Sequence, residues 1–353
     1  MTGAFIISSG RCGSTMMSNL INTHADILSV SEFFIDIASN GYELDAAFGS
    51  EKIDGQEFWQ RINFKPPIMN VLLANDRPYP EMLYPYRDPN SRFSAQTGVP
   101  SLQMTMLPHL TDDHDALCDE LEPQVIAQPV QSLRDHFEDL FAILMNKFGK
   151  KTWVERSGGS VPFASEIRKV WPEGKYIHVF RNGMDTARSM SVHEGFKIVL
   201  GGEAIKEYLG VSPYFSDDRE NVDKVPSHLR FLLPECFDVE AFDKYVLPLD
   251  MIGGMWSDNI KQGFETLASL PKENVIHIDY DRFCDNPVEQ LKTVVEFLGV
   301  DCPEDWLNST ASKVKKSGGA WKKLPEDQQK ILLEACRPGM ELIERRIADG
   351  TVL

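Results

Sequence analysis

Ala4-Phe5-Ile6-Ile7 is an unbroken apolar run, and Met16 to Ile21 reads as the opening turns of a helix. Between them stand Ser8-Ser9-Gly10-Arg11-Cys12-Gly13-Ser14-Thr15. A buried strand that turns sharply into a helix aims several backbone N–H groups and the positive helix end at one spot, which suits an anion. Gly10 and Gly13 let the main chain approach closely, and Ser14 and Thr15 can cap the helix or donate to the anion. The stretch therefore reads as a phosphate loop. It lacks the G-x-x-x-x-G-K-[ST] pattern of nucleotide triphosphatases, in which lysine directly precedes the hydroxyl. Its only cation is Arg11, ahead of the second glycine.

A chain of 353 residues can bury a large core, as one big α/β domain or as one domain with a long insertion. Its net charge of −17 disfavours nucleic acid, anionic membranes and sulfated polysaccharides as partners. Six cysteines (Cys12, Cys118, Cys236, Cys284, Cys302 and Cys336) are scattered without C-x-x-C spacing, which argues against a disulfide framework or a zinc site. No charged-then-apolar leader precedes the first strand, and no apolar run reaches the ~18 residues that would suggest a membrane span. A cytoplasmic protein is expected.

Along the chain, Glu32 stands before Phe33 and Phe34, where burial would raise its pKa and suit it to act as a general base. An exposed glutamate at a helix start is the alternative. Residues 41–130 are broken by prolines and read as a loop-rich insertion with short helices, such as Gln56 to Ile62; long irregular insertions often bind or cover ligands. Asp112-Asp113-His114-Asp115 reads as a solvated turn. Ser132 to Phe148 is an amphipathic helix, Thr152 to Ser157 a strand, Val161 to Trp171 a helix and Tyr176 to Phe180 a strand. Such alternation implies a parallel sheet with ligands at the carboxyl ends of its strands. Arg181 ends the last of these strands and Ser189 lies on the helix that follows. Residues 195–236 read as a second irregular insertion preceded by His193 and Glu194. Val239 to Leu270 reads as a long helix broken near Pro248 and Gly253-Gly254. Val275 to Tyr280 is a strand, Val288 to Leu298 a helix, and Glu326 to Ala348 the last helix. Lys313 to Pro325 is a basic, glycine-rich loop, a local exception to the acidic whole that favours a bound anion.

Together these segments resemble the sulfotransferases that use 3′-phosphoadenosine-5′-phosphosulfate (PAPS), over roughly residues 3–35, 150–195 and 272–345. Arg11-Cys12-Gly13-Ser14-Thr15 is similar to the [KR]-x-G-[ST]-[ST] loop for the 5′-phosphosulfate. Arg181 through Ser189 is similar to R-[DN]-P-x-[DN]-x-x-x-S, with Gly183 where proline is usual, and an arginine fork matches a dianionic phosphate well. Asp279 to Gly299 resembles a packing segment of the same family. Lys313 to Lys322 resembles the [RK]-K-G-x-x-G-x-W-[KR] loop that closes over the 3′-phosphate, with Ser317 where glycine is usual.

The resemblance implies an α/β fold with a central parallel sheet, flanking helices and P-loop-like architecture. It implies a single domain over 1–353, with acceptor-binding or lid insertions at 41–130 and 195–236. A sulfuryl group would pass from PAPS to a hydroxyl or amine by in-line displacement, releasing PAP, with no metal required. Arg11, Cys12, Gly13, Ser14, Thr15, Arg181, Ser189, Lys316, Ser317, Gly318, Trp321 and Lys322 would hold the nucleotide. Arg11 and Ser189 would also serve catalysis, with Glu32 as base and His193 as its substitute. The acidic surface points to a neutral or cationic small molecule or sugar as acceptor. The alternatives are a P-loop small-molecule kinase, against which the missing lysine before Ser14 counts, and a non-catalytic nucleotide-binding protein on the same fold.

Overall fold

A computed structural model of the chain describes residues 3–39 and 44–353. The first residues of the insertion expected from 41 lie outside them. Seven strands occur among the described residues: β1 (Ala4–Ser8), β2 (Ile27–Ser31), β3 (Lys52–Ile53), β4 (Gln131–Ser132), β5 (Thr152–Arg156), β6 (Lys175–Phe180) and β7 (Val275–Asp279). Five of them form a parallel sheet in the order β2-β5-β1-β6-β7, and β3 and β4 form a small antiparallel pair. β1 is the central strand, Ala4 to Ile6 pairing with both Val154 to Arg156 and Lys175 to Ile177.

Every residue of β1 is buried, so its alternating side chains feed two cores, as a strand covered on both faces requires. Phe5 and Ile7 enter one cluster, and Ala4 and Ile6 the other. On the first face the Phe5 ring meets Trp153 edge-on at 5.3 Å and Tyr176 at 5.2 Å. Each such pair adds about 0.5–1.5 kcal/mol to the burial itself. Gly3 is small for the same reason, because a Cβ there would overlap the Trp153 ring at 1.9 Å. On the second face Met17 and Ile21 of the helix Ser14–Asn22 pack beneath Ile6 with Ile177 and Val179.

Several elements match their expected ranges within a residue or two, including the helices Leu133–Phe148, Pro287–Leu298 and Glu326–Ala348. Others differ, and the physical reasons are visible. Residues Glu194–Leu209 form a regular helix where an irregular segment was expected. Gly201 and Gly202 lie inside it because a Cβ at either would strike Leu232 at 2.3 Å or Tyr214 at 2.5 Å, so they mark close packing and no break. The stretch 239–270 is interrupted between Lys244 and Leu249, near Pro248, and runs unbroken through Gly253-Gly254. Gly253 admits the last helix, with Ala335 Cβ only 2.6 Å from where its own would stand. Asp112 and Asp113 stand exposed ahead of the helix, as a solvated turn would, whereas His114 and Asp115 begin the helix His114–Ile126, and Asp115 accepts a hydrogen bond from Gln103 at 3.0 Å. Val161 to Phe163 is a single 3-10 turn before the helix Ala164–Val170.

Gly183, the departure from the family pattern, is explained by its neighbours. A Cβ at this position would stand 2.5 Å from the Trp256 ring, and the Gly183 N–H donates to Met340 Sδ at 3.2 Å. Trp256 is fully buried between the helices Leu249–Leu267 and Glu326–Ala348. Gly183→Pro should therefore lower stability by about 1–3 kcal/mol through overpacking, although proline is usual there in the family. Urea unfolding checks this; an unchanged midpoint would show that Trp256 can move aside.

Candidate functional site

The loops leaving the carboxyl ends of the five parallel strands converge on one region. After β1 the chain makes a left-handed excursion, with φ of 82° at Gly10, 54° at Arg11 and 90° at Gly13. The last is open only to glycine, since a Cβ at residue 13 would also lie 2.1 Å from the Tyr280 ring. The helix Ser14–Asn22 has no side-chain cap. Its first intrahelical bond is from Met17 N–H to Gly13 O at 3.1 Å, so the N–H groups of Ser14, Thr15 and Met16 precede the ladder. The Ser14 hydroxyl accepts from Ser8 at 3.3 Å, which leaves the helix end free to receive an anion. Cys12 contributes main chain alone: its thiol is buried, donates to Val179 O at 3.2 Å, and is pushed up in pKa by that burial.

Arg11 reaches across this loop. Its Nε donates to Ser189 Oγ at 3.2 Å, which joins the first loop to the helix after β6. Its Nη1 donates to Glu81 Oε1 at 2.5 Å, and Glu81 Oε2 is 3.1 Å from His193 Nε2. Burial alone would raise the Glu81 carboxyl, but the His193 hydrogen bond and charge and the Arg11 guanidinium bring it down to about 2. Glu81 carried no signal in the sequence, because it lies in a proline-broken stretch with no periodicity to place it.

Glu32 is buried at the end of β2 with φ 58°. The expected apolar cage is instead an ion pair: Arg156 Nη1, at the end of β5, donates to Glu32 Oε1, and Gly158 N–H donates to Oε2 at 2.8 Å. Arg156 Nη2 also donates to Ser31 Oγ at 2.8 Å. Two further carboxyls lie near that of Glu32. Asp36 is pushed well up by burial and by the charges of Glu32 and Glu155. Glu155, fully buried, is pushed up to about 8 by desolvation, against the lowering effect of hydrogen bonds from Ser157 and Phe34. Arg156 went unnoticed in the sequence, although a charged pair ending an apolar strand was the available signal.

At the end of β6, Arg181 is buried, its guanidinium 4.7 Å over the Tyr280 ring. Its Nη2 donates to the carbonyl of Ser317, Asp185 lies 4.0 Å away, and its buried Nε has no partner. The basic loop thus rests on Arg181. Asp185 accepts from Gly319 N–H at 2.6 Å, and a Cβ on Gly318 would stand 2.8 Å from the Arg181 guanidinium. The Ser317 hydroxyl is 3.3 Å from that of Tyr280. Lys316 is drawn aside to Asp285 at 2.8 Å, Trp321 packs beside the Phe180 and Trp256 cluster, and Lys322 is exposed.

A cavity of about 440 Å³ opens from the β1 loop. Ile35, Ile68, Met69, Phe163, Phe196 and Met255 supply an apolar wall, while Arg11, Glu32, Asp36, Glu81 and His193 line the end toward the loop. Its wall draws on both segments expected as insertions. No helix among the described residues is long and apolar enough to cross a membrane.

Residues 4–198 match the model of the sulfotransferase family, and residues 166–330 match that of a sulfotransferase domain. The first match spans more than half of the sequence, and the chain belongs to the sulfotransferase family. It is thus a sulfotransferase, an enzyme of sulfuryl transfer. Among solved structures it is similar to the sulfotransferase domain from the curacin biosynthetic pathway, at 13% identity over 95% of this chain and 97% of that one, with a TM-score of 0.42. A sulfotransferase from Alicyclobacillus acidocaldarius is 14% identical over 99% of this chain and 96% of its own, with a TM-score of 0.39. Retinol dehydratase in complex with androsterone and inactive cofactor PAP is 11% identical over 96% and 80%, with a TM-score of 0.36. No curated protein sequence matches the chain.

The Glu155 carboxyl makes stability depend on pH. Between its ordinary 4.5 and about 8, the folded protein holds a proton that the unfolded chain releases. The stability this proton confers is fully present below the lower value and lost as pH rises through the upper one. Glu155→Gln, which fixes the neutral form, should be close to neutral at acid pH, gain on wild type as pH rises from about 4.5 to about 8, and keep a constant advantage above that. Thermal midpoints across that range check this; a difference that does not grow with pH would assign the proton elsewhere.

Proposed function

We propose that this sulfotransferase takes PAPS as donor and passes its sulfuryl group to a hydroxyl or amine of a small apolar acceptor, neutral or cationic. The observation that carries the reading is the adjacency of three parts: the uncapped helix end with Arg11, the Arg181 site with its unpartnered Nε, and an apolar cavity beginning at Arg11. A nucleotide with phosphates at both ends of its ribose matches the first two, and an acceptor fills the third. The residues fit that donor. N–H groups of the first helical turn and the close-approach glycine Gly13 form a cradle for the 5′ end, and the unpartnered Arg181 Nε faces the need of a 3′-phosphate.

In this reading the acceptor oxygen attacks sulfur while the bond to the bridging phosphate oxygen breaks and its electron pair passes to the phosphate. Arg11 and the helix-end N–H groups stabilise that charge. Ser189 steadies Arg11, and Arg181, Ser189 and the 316–322 loop hold the 3′ end. The carboxyls at the loop end of the cavity, in a chain of net charge −17, disfavour polyanionic acceptors. One 353-residue domain with the acceptor gripped by segments 41–130 and 195–236 completes the proposal, in a cytoplasmic setting.

Thermal unfolding with PAP, PAPS, ADP and ATP–Mg in parallel tests the donor. At about 100 times its dissociation constant a ligand stabilises by roughly 2.7 kcal/mol, a readily seen shift. PAP and PAPS should raise the midpoint, ADP should not, and Arg181→Ala should erase the PAP effect. A shift with ATP–Mg alone would replace this reading with a kinase. In turnover, Arg11→Ala should lower kcat roughly hundred- to thousandfold, the cost of one charge-stabilising donor. A variant within about tenfold of wild type would remove Arg11 from that role.

A further inference from the structure

We propose that Asp36 determines acceptor specificity by receiving an ammonium group, so that the acceptor is an apolar amino alcohol or aminophenol whose hydroxyl takes the sulfuryl group. This rests on the sulfuryl-transfer reading above and narrows its acceptor to the cationic class. Three carboxyls, those of Glu32, Asp36 and Glu155, gather near the ends of β2 and β5, where Arg156 is paired with Glu32. Glu32 takes that guanidinium at one oxygen and Gly158 N–H at the other. Glu155 is fully buried, accepts from the Ser157 hydroxyl and Phe34 N–H, and lies outside the cavity lining. Asp36 has no such partner. Among the described residues its carboxyl makes no hydrogen bond and no ion pair, yet the residue is only half-buried and lines the cavity.

A carboxyl in that position is unfavourable until a donor or a cation meets it. Burial and the charges of Glu32 and Glu155 push Asp36 well up, and no cation among the described residues brings it back down. The empty site therefore favours a proton, and an ammonium supplies the same positive charge. Tyr79 stands beside Asp36 and lines the cavity: its hydroxyl is pushed well up by burial and by the Asp36 charge, and lies 3.5 Å from Thr105 Oγ1. An aromatic ring near a carboxyl is a setting that ammonium groups favour. Ile35, Ile68, Met69 and Phe163 offer an apolar wall to the carbon skeleton, in a volume of about 440 Å³ that suits a small molecule. The other two cavity carboxyls are already engaged, Glu81 by Arg11 and His193, and Glu32 by Arg156. A net charge of −17 also draws cations toward the protein. In the transfer the bond to sulfur forms at the acceptor hydroxyl, and the ammonium on Asp36 keeps its protons.

Binding to the full-length protein saturated with PAP decides this, read by isothermal titration. The probes are 4-(ω-aminoalkyl)phenols with two, four and six methylenes. Each is paired with the phenol in which methyl replaces the ammonium, and with the phenol in which hydroxyl replaces it. At one length or more the amine should bind at least about tenfold tighter than both neutral partners. Asp36→Asn, uncharged and of nearly the same shape, should bring that ratio to within about twofold of one. The rise in thermal midpoint with PAP should persist in this variant, which shows that it is folded. Amines that bind no tighter than their neutral partners at every length overturn the assignment, as does a preference that survives Asp36→Asn. A hydroxyl-terminated probe that matches the best amine overturns it too, since Asp36 would then receive neutral donors. The PAP shift of the wild type is read separately. Its presence without any amine preference strikes this inference alone, whereas its absence overturns the donor reading and this inference with it.

Discussion

An arginine must be delivered to the point where β1 gives way to a helix, and the backbone permits this only by turning left-handed on both sides of it. Gly10 and Gly13 accept positive φ without strain, but Arg11 itself sits at φ 54°, a conformation that a long side chain adopts at a cost. That cost is met by what the conformation achieves. It swings the guanidinium over the helix end, between Ser189 of one motif and Glu81 of an insertion far along the chain. The fold is organised to hold this geometry from below. Cys12 is anchored to β6 through Val179 O, Ser8 N–H is bound by Ser160 Oγ at 3.1 Å, and the Tyr280 ring fills the space beside Gly13. Three neighbouring strand ends therefore constrain one loop.

What could be read in the sequence follows from how local its physical cause is. A four-residue apolar run, two glycines and a helical period are written in adjacent positions, so β1, its loop and the following helix were legible, as were β5, β6 and the helices of regular period. The Arg181 junction was legible for the same reason. Glu81 was not, because its role depends on His193 more than a hundred positions away and on no pattern near itself. The helix Glu194–Leu209 was hidden by Gly201-Gly202, residues that signal a break when read locally. Here they admit Leu232 and Tyr214, a tertiary demand that overrides helix propensity. Glu32 shows the intermediate case: its burial could be anticipated from Phe33 and Phe34, whereas its pairing with Arg156 depends on how β2 lies beside β5.

The same reasoning explains why Lys316 and Lys322 add little to the interior of the site. A lysine is strongly hydrated and gains from the nearest carboxylate at the surface; Lys316 finds Asp285 there. Arg181 can be buried because its flat guanidinium stacks on Tyr280 and bonds a carbonyl in its plane. The basic loop then serves through its backbone: Ser317 offers a carbonyl to Arg181, and Gly319 an N–H to Asp185. A loop fastened by main-chain groups needs glycine at the crossing point, and Gly318 lies there, with no room for a Cβ beside Arg181.

A chain of net charge −17 can still bind a highly anionic nucleotide, because charge acts over the distance at which it is unscreened. Surface carboxylates more than about 8–10 Å away are largely damped by salt, while a guanidinium in a partly dry pocket is not. The site places Arg11, Arg156 and Arg181 at the ends of β1, β5 and β6, each next to a carboxylate supplied by a different part of the chain: Glu81, Glu32 and Asp185. Each pair makes the arginine tolerable inside the protein and sets its direction. Arg156 is fully enclosed by its pairing and faces Glu32, so it stabilises the protein's own carboxylate more than a ligand. Arg156 and Arg181 each keep a buried Nε without a partner, while Arg11 stays partly exposed. Incomplete pairing alone therefore does not decide where an anion binds: Arg156 is enclosed beside Glu32, whereas Arg11 lines the cavity next to the open helix end.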